Sequence, residues 1–212
     1  MIDLYDFISA LNEASSPKDI INPSASGMHA EVILQTWKVK KGQRFCTNVV
    51  LGEMGAGLPH SIGACLATGR RVIHVEGDGG FQLNIQELET IRRLNLPIIM
   101  FIINNNGYHS IRESQMRAFG RVTGADDTSG VTLPDIRDIA SAYKINHWGL
   151  VGDDYESERG NWVDTLYAIM NYKKGLPLIC EVEANPTQQY RHRVPSKLVN
   201  GKMTTAPMDE VT

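Results

Sequence analysis

Two short segments hold the residues most able to do chemistry: Gly77-Asp78-Gly79-Gly80 and Asn104-Asn105-Asn106-Gly107. Each follows an apolar run that reads as a strand, Arg71-Val72-Ile73-His74-Val75-Glu76 before the first and Ile98 to Ile103 before the second. Between them Ile85, Leu88, Ile91 and Leu94 have helical spacing. The unit therefore reads as a right-handed βαβ with two parallel, neighbouring strands. In parallel sheets ligands sit beyond the carboxyl ends of the strands, so Asp78 and Asn105 are expected to converge there. One carboxylate, one amide oxygen and a backbone carbonyl make an oxygen-only set of single charge. Such a set suits Mg²⁺, which completes its shell with water and phosphate oxygens. Gly79 and Gly80 would let backbone N–H groups approach a phosphate at the mouth of the following helix. Singly, each segment also reads as a tight turn or a loop leading into a helix; their pairing in one βαβ unit is what points to a site.

The elements that must position these segments follow from periodicity. Leu4, Phe7, Ile8 and Leu11 predict an amphipathic helix capped by Asp3 and ended by Ser15-Ser16-Pro17. Asp19-Ile20-Ile21 is a short strand candidate, followed by the loop Asn22-Pro23-Ser24-Ala25-Ser26-Gly27 and a helix over 29–37. Gly52, Gly55 and Gly57 precede a helix with Pro59 in its first turn, closed by Gly69. Further helices are predicted over 133–143 and 162–172, with a last strand Leu178-Ile179-Cys180-Glu181-Val182. The alternation implies an α/β fold, a three-layer αβα arrangement around a mostly parallel, doubly wound sheet. Residues 1–185 read as one domain and 186–212 as a polar C-terminal extension, wrapping the domain or ordering against a partner.

Composition narrows the function class. The 212 residues carry 21 Lys+Arg against 24 Asp+Glu, a net charge of −3, with a sequence pI near 6.1. No basic excess exists to bind a phosphate backbone, so no nucleic-acid partner is expected. Cys46, Cys65 and Cys180 are odd in number and widely spaced, fitting neither a disulfide framework nor a CxxC zinc site. A reducing, cytoplasmic compartment is the expectation. The N-terminal residues do not read as a signal peptide, and the apolar run Ile98 to Ile103 is far short of the ~20 residues a bilayer span needs. No membrane role is expected.

Gly77-Asp78-Gly79 followed by Asn104-Asn105, with Asn105 27 positions beyond Asp78, resembles the signature of thiamine-diphosphate enzymes. The stretches Gly52-Glu53-Met54-Gly55-Ala56-Gly57-Leu58-Pro59, Gly80-Phe81-Gln82-Leu83-Asn84-Ile85-Gln86-Glu87-Leu88 and Asn104-Asn105-Asn106-Gly107-Tyr108 resemble the acetolactate-synthase-like branch. The resemblance runs from about His29 to Val182 and concerns the C-terminal diphosphate-binding domain; the pyrimidine-binding domain has no counterpart. It implies thiamine diphosphate and Mg²⁺ as cofactors. Metal ligands would be the Asp78 and Asn105 side chains and the Gly107 carbonyl. Cofactor contacts would come from Gly52, Met54, Gly77, Asp78, Gly79, Gly80, Asn105, Gly107 and His29. Met54 would wedge between the two rings of the cofactor and the Gly52 carbonyl would accept from its amino group; the other reading of Met54 is a core-filling methionine. His29 stands where related synthases carry Gly-Gln-His, here Gly27-Met28-His29, and a surface or satisfied core histidine is its other reading. Tyr108 and His109 are weaker candidates for facing the substrate. His60 replaces a small residue of the family pattern without a functional account.

The implied chemistry is decarboxylation of a 2-oxo acid with carboligation, thiamine diphosphate acting as electron sink. Ser114-Gln115 stands where acetolactate synthases place a tryptophan that shapes the acceptor pocket, so the run from Gly107 to Arg112 looks closer to acetolactate-synthase-like proteins of other substrates, some tied to sugar modification. The activating glutamate comes, in that family, from the pyrimidine-binding domain, and Glu53 and Glu87 stand in motifs of the diphosphate side. A partner domain or subunit, and a dimer or higher oligomer, are therefore implied, with the isolated chain inactive. Two alternatives are a simple 2-oxo acid decarboxylase subunit and a non-catalytic scaffold subunit. A dinucleotide-binding domain is disfavoured, since no GxGxxG follows the first strand.

Overall fold

A computed structural model describes residues 1–48, 50–152, 161–172, 176–192, 196–200 and 202–205. The elements in chain order are α1 (Leu4–Ala14), β1 (Ile20–Asn22), α2 (Met28–Thr36), β2 (Arg44–Phe45), α3 (Gly57–Thr68), β3 (Val72–Gly77), α4 (Asp78–Phe81), α5 (Glu87–Arg93), β4 (Ile98–Asn104), α6 (His109–Phe119), α7 (Ile136–Ala142), β5 (Asn146–Leu150), α8 (Trp162–Asn171), β6 (Leu178–Glu183), β7 (Ser196–Val199) and β8 (Lys202–Thr205). Strands β1 to β6 form one sheet in the order β2-β1-β3-β4-β6-β5, and every pairing within it is parallel. β7 and β8 make a separate antiparallel pair.

Parallel strands buried on both faces need apolar side chains in both directions, and β4 supplies them. Ile99, Phe101 and Ile103 join the core under α1, α2 and α8, while Ile98, Met100 and Ile102 join the core under α3, α5 and α7. The three layers inferred from periodicity are thus present. The chain leaves β1 toward β2 on one side and β3 toward β4 on the other, so the strand order reverses between β1 and β3. A crevice is expected at that reversal, beyond the carboxyl ends.

Local chemistry sets the element ends. The Asp3 side chain caps α1 by accepting from the Tyr5 and Asp6 N–H groups, and Gly69 ends α3 in the left-handed region at φ 63°. Three expectations shift. The helix predicted over 133–143 begins at Ile136, because Asp135 takes the capping role and leaves Pro134 outside. The Gly-Asp-Gly-Gly segment is itself the first turn of α4 rather than a free loop. The helix through Ile85 is broken, with a 3₁₀ turn at Gln82–Asn84 before α5. Strands β2 and β5 were not predicted; β5 is an edge strand whose Asn146-His147-Trp148-Gly149 carries no apolar alternation.

The polar extension is partly bound to the domain. The Gln188 Oε1 accepts from the Leu4 N–H at 2.8 Å, the Arg191 N–H donates to the Tyr5 Oη at 2.9 Å, and the Arg191 guanidinium lies 4.5 Å from the centre of the Tyr5 ring. No helix among the described residues is long and apolar enough to cross a membrane.

Phe101 at the sheet centre packs edge-on against Phe7 of α1, with centroids 5.6 Å apart, and is fully buried. Phe101→Ala is expected to lower unfolding free energy by about 3–5 kcal/mol in urea titration; a loss under about 1 kcal/mol would contradict the packing described.

Candidate functional site

A cleft of about 210 Å³ opens at the reversal point, walled by residues 26–29 before and within α2, by Gly52 and Met54, by residues 76–80, and by residues 105–111. The structure thus brings together His29, Gly52, Met54, Gly77, Asp78, Gly79, Gly80, Asn105, Gly107, Tyr108 and His109, every one of the residues singled out from the sequence except His60. A wider groove of about 590 Å³ lies at the sheet edge on Arg137, His147, Trp148, Gly149 and Thr165. It contains none of those residues.

Asp78 sits where β3 passes into α4. Its Oδ1 accepts from the Gly79 N–H and its Oδ2 from the Gly107 N–H, both at 2.8 Å. One carboxylate therefore ties the end of β3 to the loop after β4. The Gly79 N–H, which the sequence aims at a phosphate, donates here to this carboxylate. Burial pushes the Asp78 carboxyl up to about 6, against the opposing pull of the Gly107, Gly79 and Asn105 N–H groups and of Arg112. The fold then holds a proton more tightly than the unfolded chain, so the charged form costs stability as pH rises through that range. A cation beside Asp78 would remove the cost.

The loop after β4 turns sharply. Asn106 has φ 61° and Gly107 φ 107°, and a Cβ on Gly107 would collide with the Ala125 carbonyl oxygen. The Gly107 carbonyl accepts from the His109 N–H at 3.0 Å, leaving its second lone pair for a ligand. Asn105 Oδ1 is buried without a hydrogen-bond partner. In the same cleft His29 Nε2 is likewise buried and unpartnered. An unpartnered acceptor, a carboxylate and an imidazole nitrogen in one cleft are what a cation and its bound anion would satisfy. Among the described residues no group of three or more His, Cys, Asp or Glu could hold a metal.

Met54 is 42% exposed at the mouth of the cleft, which overturns its reading as a core-filling residue. Tyr108 lies over Gly79, where any Cβ would collide with its ring. His109 is buried and its Nδ1 lies 3.2 Å from the Pro186 carbonyl oxygen.

Beneath the cleft runs a polar network that sequence reasoning missed. Glu76 Oε2 is 3.0 Å from His74 Nε2, His74 Nδ1 is 3.2 Å from Ser61 Oγ, and Ser24 Oγ donates to Glu76 Oε1 at 3.0 Å. Burial alone would raise the Glu76 carboxyl, but the His74 hydrogen bond, with Ser24, holds it below the ordinary carboxylate range. Burial pushes His29 down to about 4, with Glu76 pulling the other way. His29 is therefore neutral at pH 7 and adds little charge at Glu76. Positions 74 and 76 of one strand were the available signal, two polar residues in alternation within an otherwise apolar run. Gly57 is where it is because a Cβ would stand 2.5 Å from His74 Cε1 and 2.7 Å from Glu76 Oε2.

The unfolded chain protonates its histidine near 6.5 while the fold keeps His29 neutral to about 4. Between those values the unfolded state binds more protons, so stability falls on acidification through that window, by up to about 3 kcal/mol. Asp78, with its raised pKa, acts in the opposite sense over the same range, so the His29 contribution is read as a difference: the urea midpoint of the unaltered chain is expected to fall relative to that of His29→Gln between pH 7 and pH 4.5. An identical pH slope in the variant would refute a buried neutral His29.

A family model described as "Thiamine pyrophosphate enzyme, C-terminal TPP binding domain" matches residues 25–174. The acetolactate synthase large subunit of Pyropia yezoensis is 34% identical over 161 residues, covering 75% of this chain and 26% of that protein. A chloroplastic acetolactate synthase 2 of Brassica napus is 41% identical over 99 residues, 46% of this chain and 15% of that protein. This chain spans about a quarter of the Pyropia protein's length or less in each case. In structure it matches the thiamine diphosphate-dependent 4-hydroxybenzoylformate decarboxylase of Rhodococcus jostii RHA1 with a TM-score of 0.69, at 21% identity, over 87% of this chain and 33% of that one.

Proposed function

The chain belongs to the thiamine pyrophosphate enzymes as a C-terminal TPP-binding domain of their acetolactate-synthase-like branch, and on that premise we propose that it holds the diphosphate and Mg²⁺ side of a site that decarboxylates a 2-oxo acid and passes the product to a carbonyl acceptor. The observation that carries this is the Asp78 carboxylate held by Gly79 and Gly107, beside the unpartnered Asn105 Oδ1. Asp78, Asn105 and the Gly107 carbonyl would hold the cation. Gly80 and His29 would take the diphosphate, His29 gaining a proton against the anion. Met54 and the Gly52 carbonyl would set the angle between the two rings, both residues lining the same cleft. Thiamine diphosphate supplies the electron sink for decarboxylation.

On this reading the chain carries one half of the site. The one glutamate among the described residues lining the cleft is Glu76, and its carboxylate is engaged by His74 and Ser24. Glu53, whose Oε2 is buried without a partner, stands in a diphosphate-side motif and is not among the residues lining the cleft. We assign the activating glutamate to a separate pyrimidine-binding domain or subunit, in a dimer or larger assembly. Met54 and Ile111 are exposed apolar side chains lining the cleft, and Leu51 beside Gly52 and Leu83 beside Gly55 are exposed as well, apolar surface of the kind that a second domain covers. The buried or half-buried thiols suit a reducing compartment, the cytosol in the first instance.

Calorimetric titration of the chain with thiamine diphosphate is expected to show binding that needs Mg²⁺ and is lost in Asp78→Ala; Mg²⁺-independent binding, or full binding by the variant, would contradict the ligand assignment. Purified chain with both cofactors is expected to decarboxylate 2-oxo acids only at background rate. Robust turnover without a partner would overturn the divided site.

A further inference from the structure

We propose that Arg112 is a positioning residue for the metal loop, clamping two consecutive carbonyls of that loop and fastening them to the C-terminal extension. The proposal rests on the reading of Asp78 and Asn105 as cation ligands. Arg112 lies in the first turn of α6 with its side chain only 16% exposed. Its Nη1 donates to the Asn106 carbonyl at 2.7 Å and its Nη2 to the Asn105 carbonyl at 2.9 Å. The Nη2 also donates to the Pro186 carbonyl at 2.9 Å, and Asp126 Oδ2 faces Nη1 at 3.5 Å.

Two successive carbonyls pointing to one place repel each other, and Asn106 and Gly107 both have positive φ. A planar guanidinium spans both oxygens with separate N–H groups, which the single point charge of lysine does not. With the backbone carbonyls of Asn105 and Asn106 so engaged, the loop presents the Asn105 side chain to the cleft and the Gly107 N–H to Asp78. The clamp also reaches the chain ends. Pro186 is two residues from Gln188, which caps the Leu4 N–H of α1, so the extension and the N-terminal helix are connected to the metal loop through one side chain.

Charge and position make opposite demands here. A guanidinium near Asp78 disfavours a second cation, so removing it would tighten Mg²⁺ binding if charge were its whole effect. Loss of the clamp would weaken binding, because groups that orient metal ligands typically contribute roughly 10–100-fold in affinity.

The test uses the whole chain as Arg112→Met and Arg112→Lys, reading Mg²⁺ affinity in the presence of thiamine diphosphate by calorimetry and amide exchange residue by residue. Arg112→Met is expected to weaken Mg²⁺ binding at least about tenfold, with Arg112→Lys recovering part of it. Exchange is expected to quicken at Gly107 and Gln188 while Phe101 and Ile102 in β4 stay protected. Unchanged or tighter Mg²⁺ binding in Arg112→Met overturns the proposal, as does exchange that quickens equally through β4. If the unaltered chain takes up no Mg²⁺, the ligand reading fails, and local quickening at Gly107, or its absence, still decides the clamp.

Discussion

The Asp78 carboxylate, accepting one N–H from its own helical turn and one from the loop after the next strand, is the interaction on which the site depends. Two strands in register from Val72↔Ile98 to Gly77↔Ile103 deliver those loops to the same height. A residue added to or removed from either strand would part them. The carboxylate is buried and its proton held more tightly than in water, so the link favours a cation nearby. The bond that joins the loops thus also fixes a buried carboxylate at the cleft.

The layer below the cleft is unusual for a parallel sheet, whose central strands are normally apolar on both faces. β3 instead carries His74 and Glu76 toward α3, and the cost of burying them is offset because each polar atom of the chain Ser61–His74–Glu76–Ser24 meets a partner. Gly57 and Gly80 make room for Glu76. The network ties α3, β3 and the loop before α2 together, and the end of β3 and the residues leading into α2 line the cleft. Replacing any member by an apolar residue would leave a buried polar group without a partner, which explains why the network reads as an all-or-none feature.

Much of the fold was legible because long buried strands and capped helices leave strong local patterns. β4 is apolar at six consecutive positions, Asp3 and Gly69 are helix-end residues by their own geometry, and Gly-Asp-Gly with Asn-Asn fell at the mouth of the crevice. Elements stabilised from outside themselves were not legible. β5 pairs with β6 without alternation of its own, and β2 has two residues held only by β1. The helical turn at Asp78–Phe81 was hidden by two glycines, poor helix formers that packing against Tyr108 and Glu76 retains.

By itself the sequence determined the fold class, the parallel βαβ unit and which oxygen-bearing residues that unit brings together, since these depend on residue type and spacing along one stretch of chain. Only the tertiary structure decided that the Gly79 N–H donates to Asp78, that Met54 stands exposed at the cleft, and that Glu76 is engaged beneath it. It also decided that Arg112 joins residues 105, 106 and 186. The reason is the same in each case: a hydrogen bond or a burial state is a property of pairs brought together across long sequence separation, and no local pattern encodes which partner arrives.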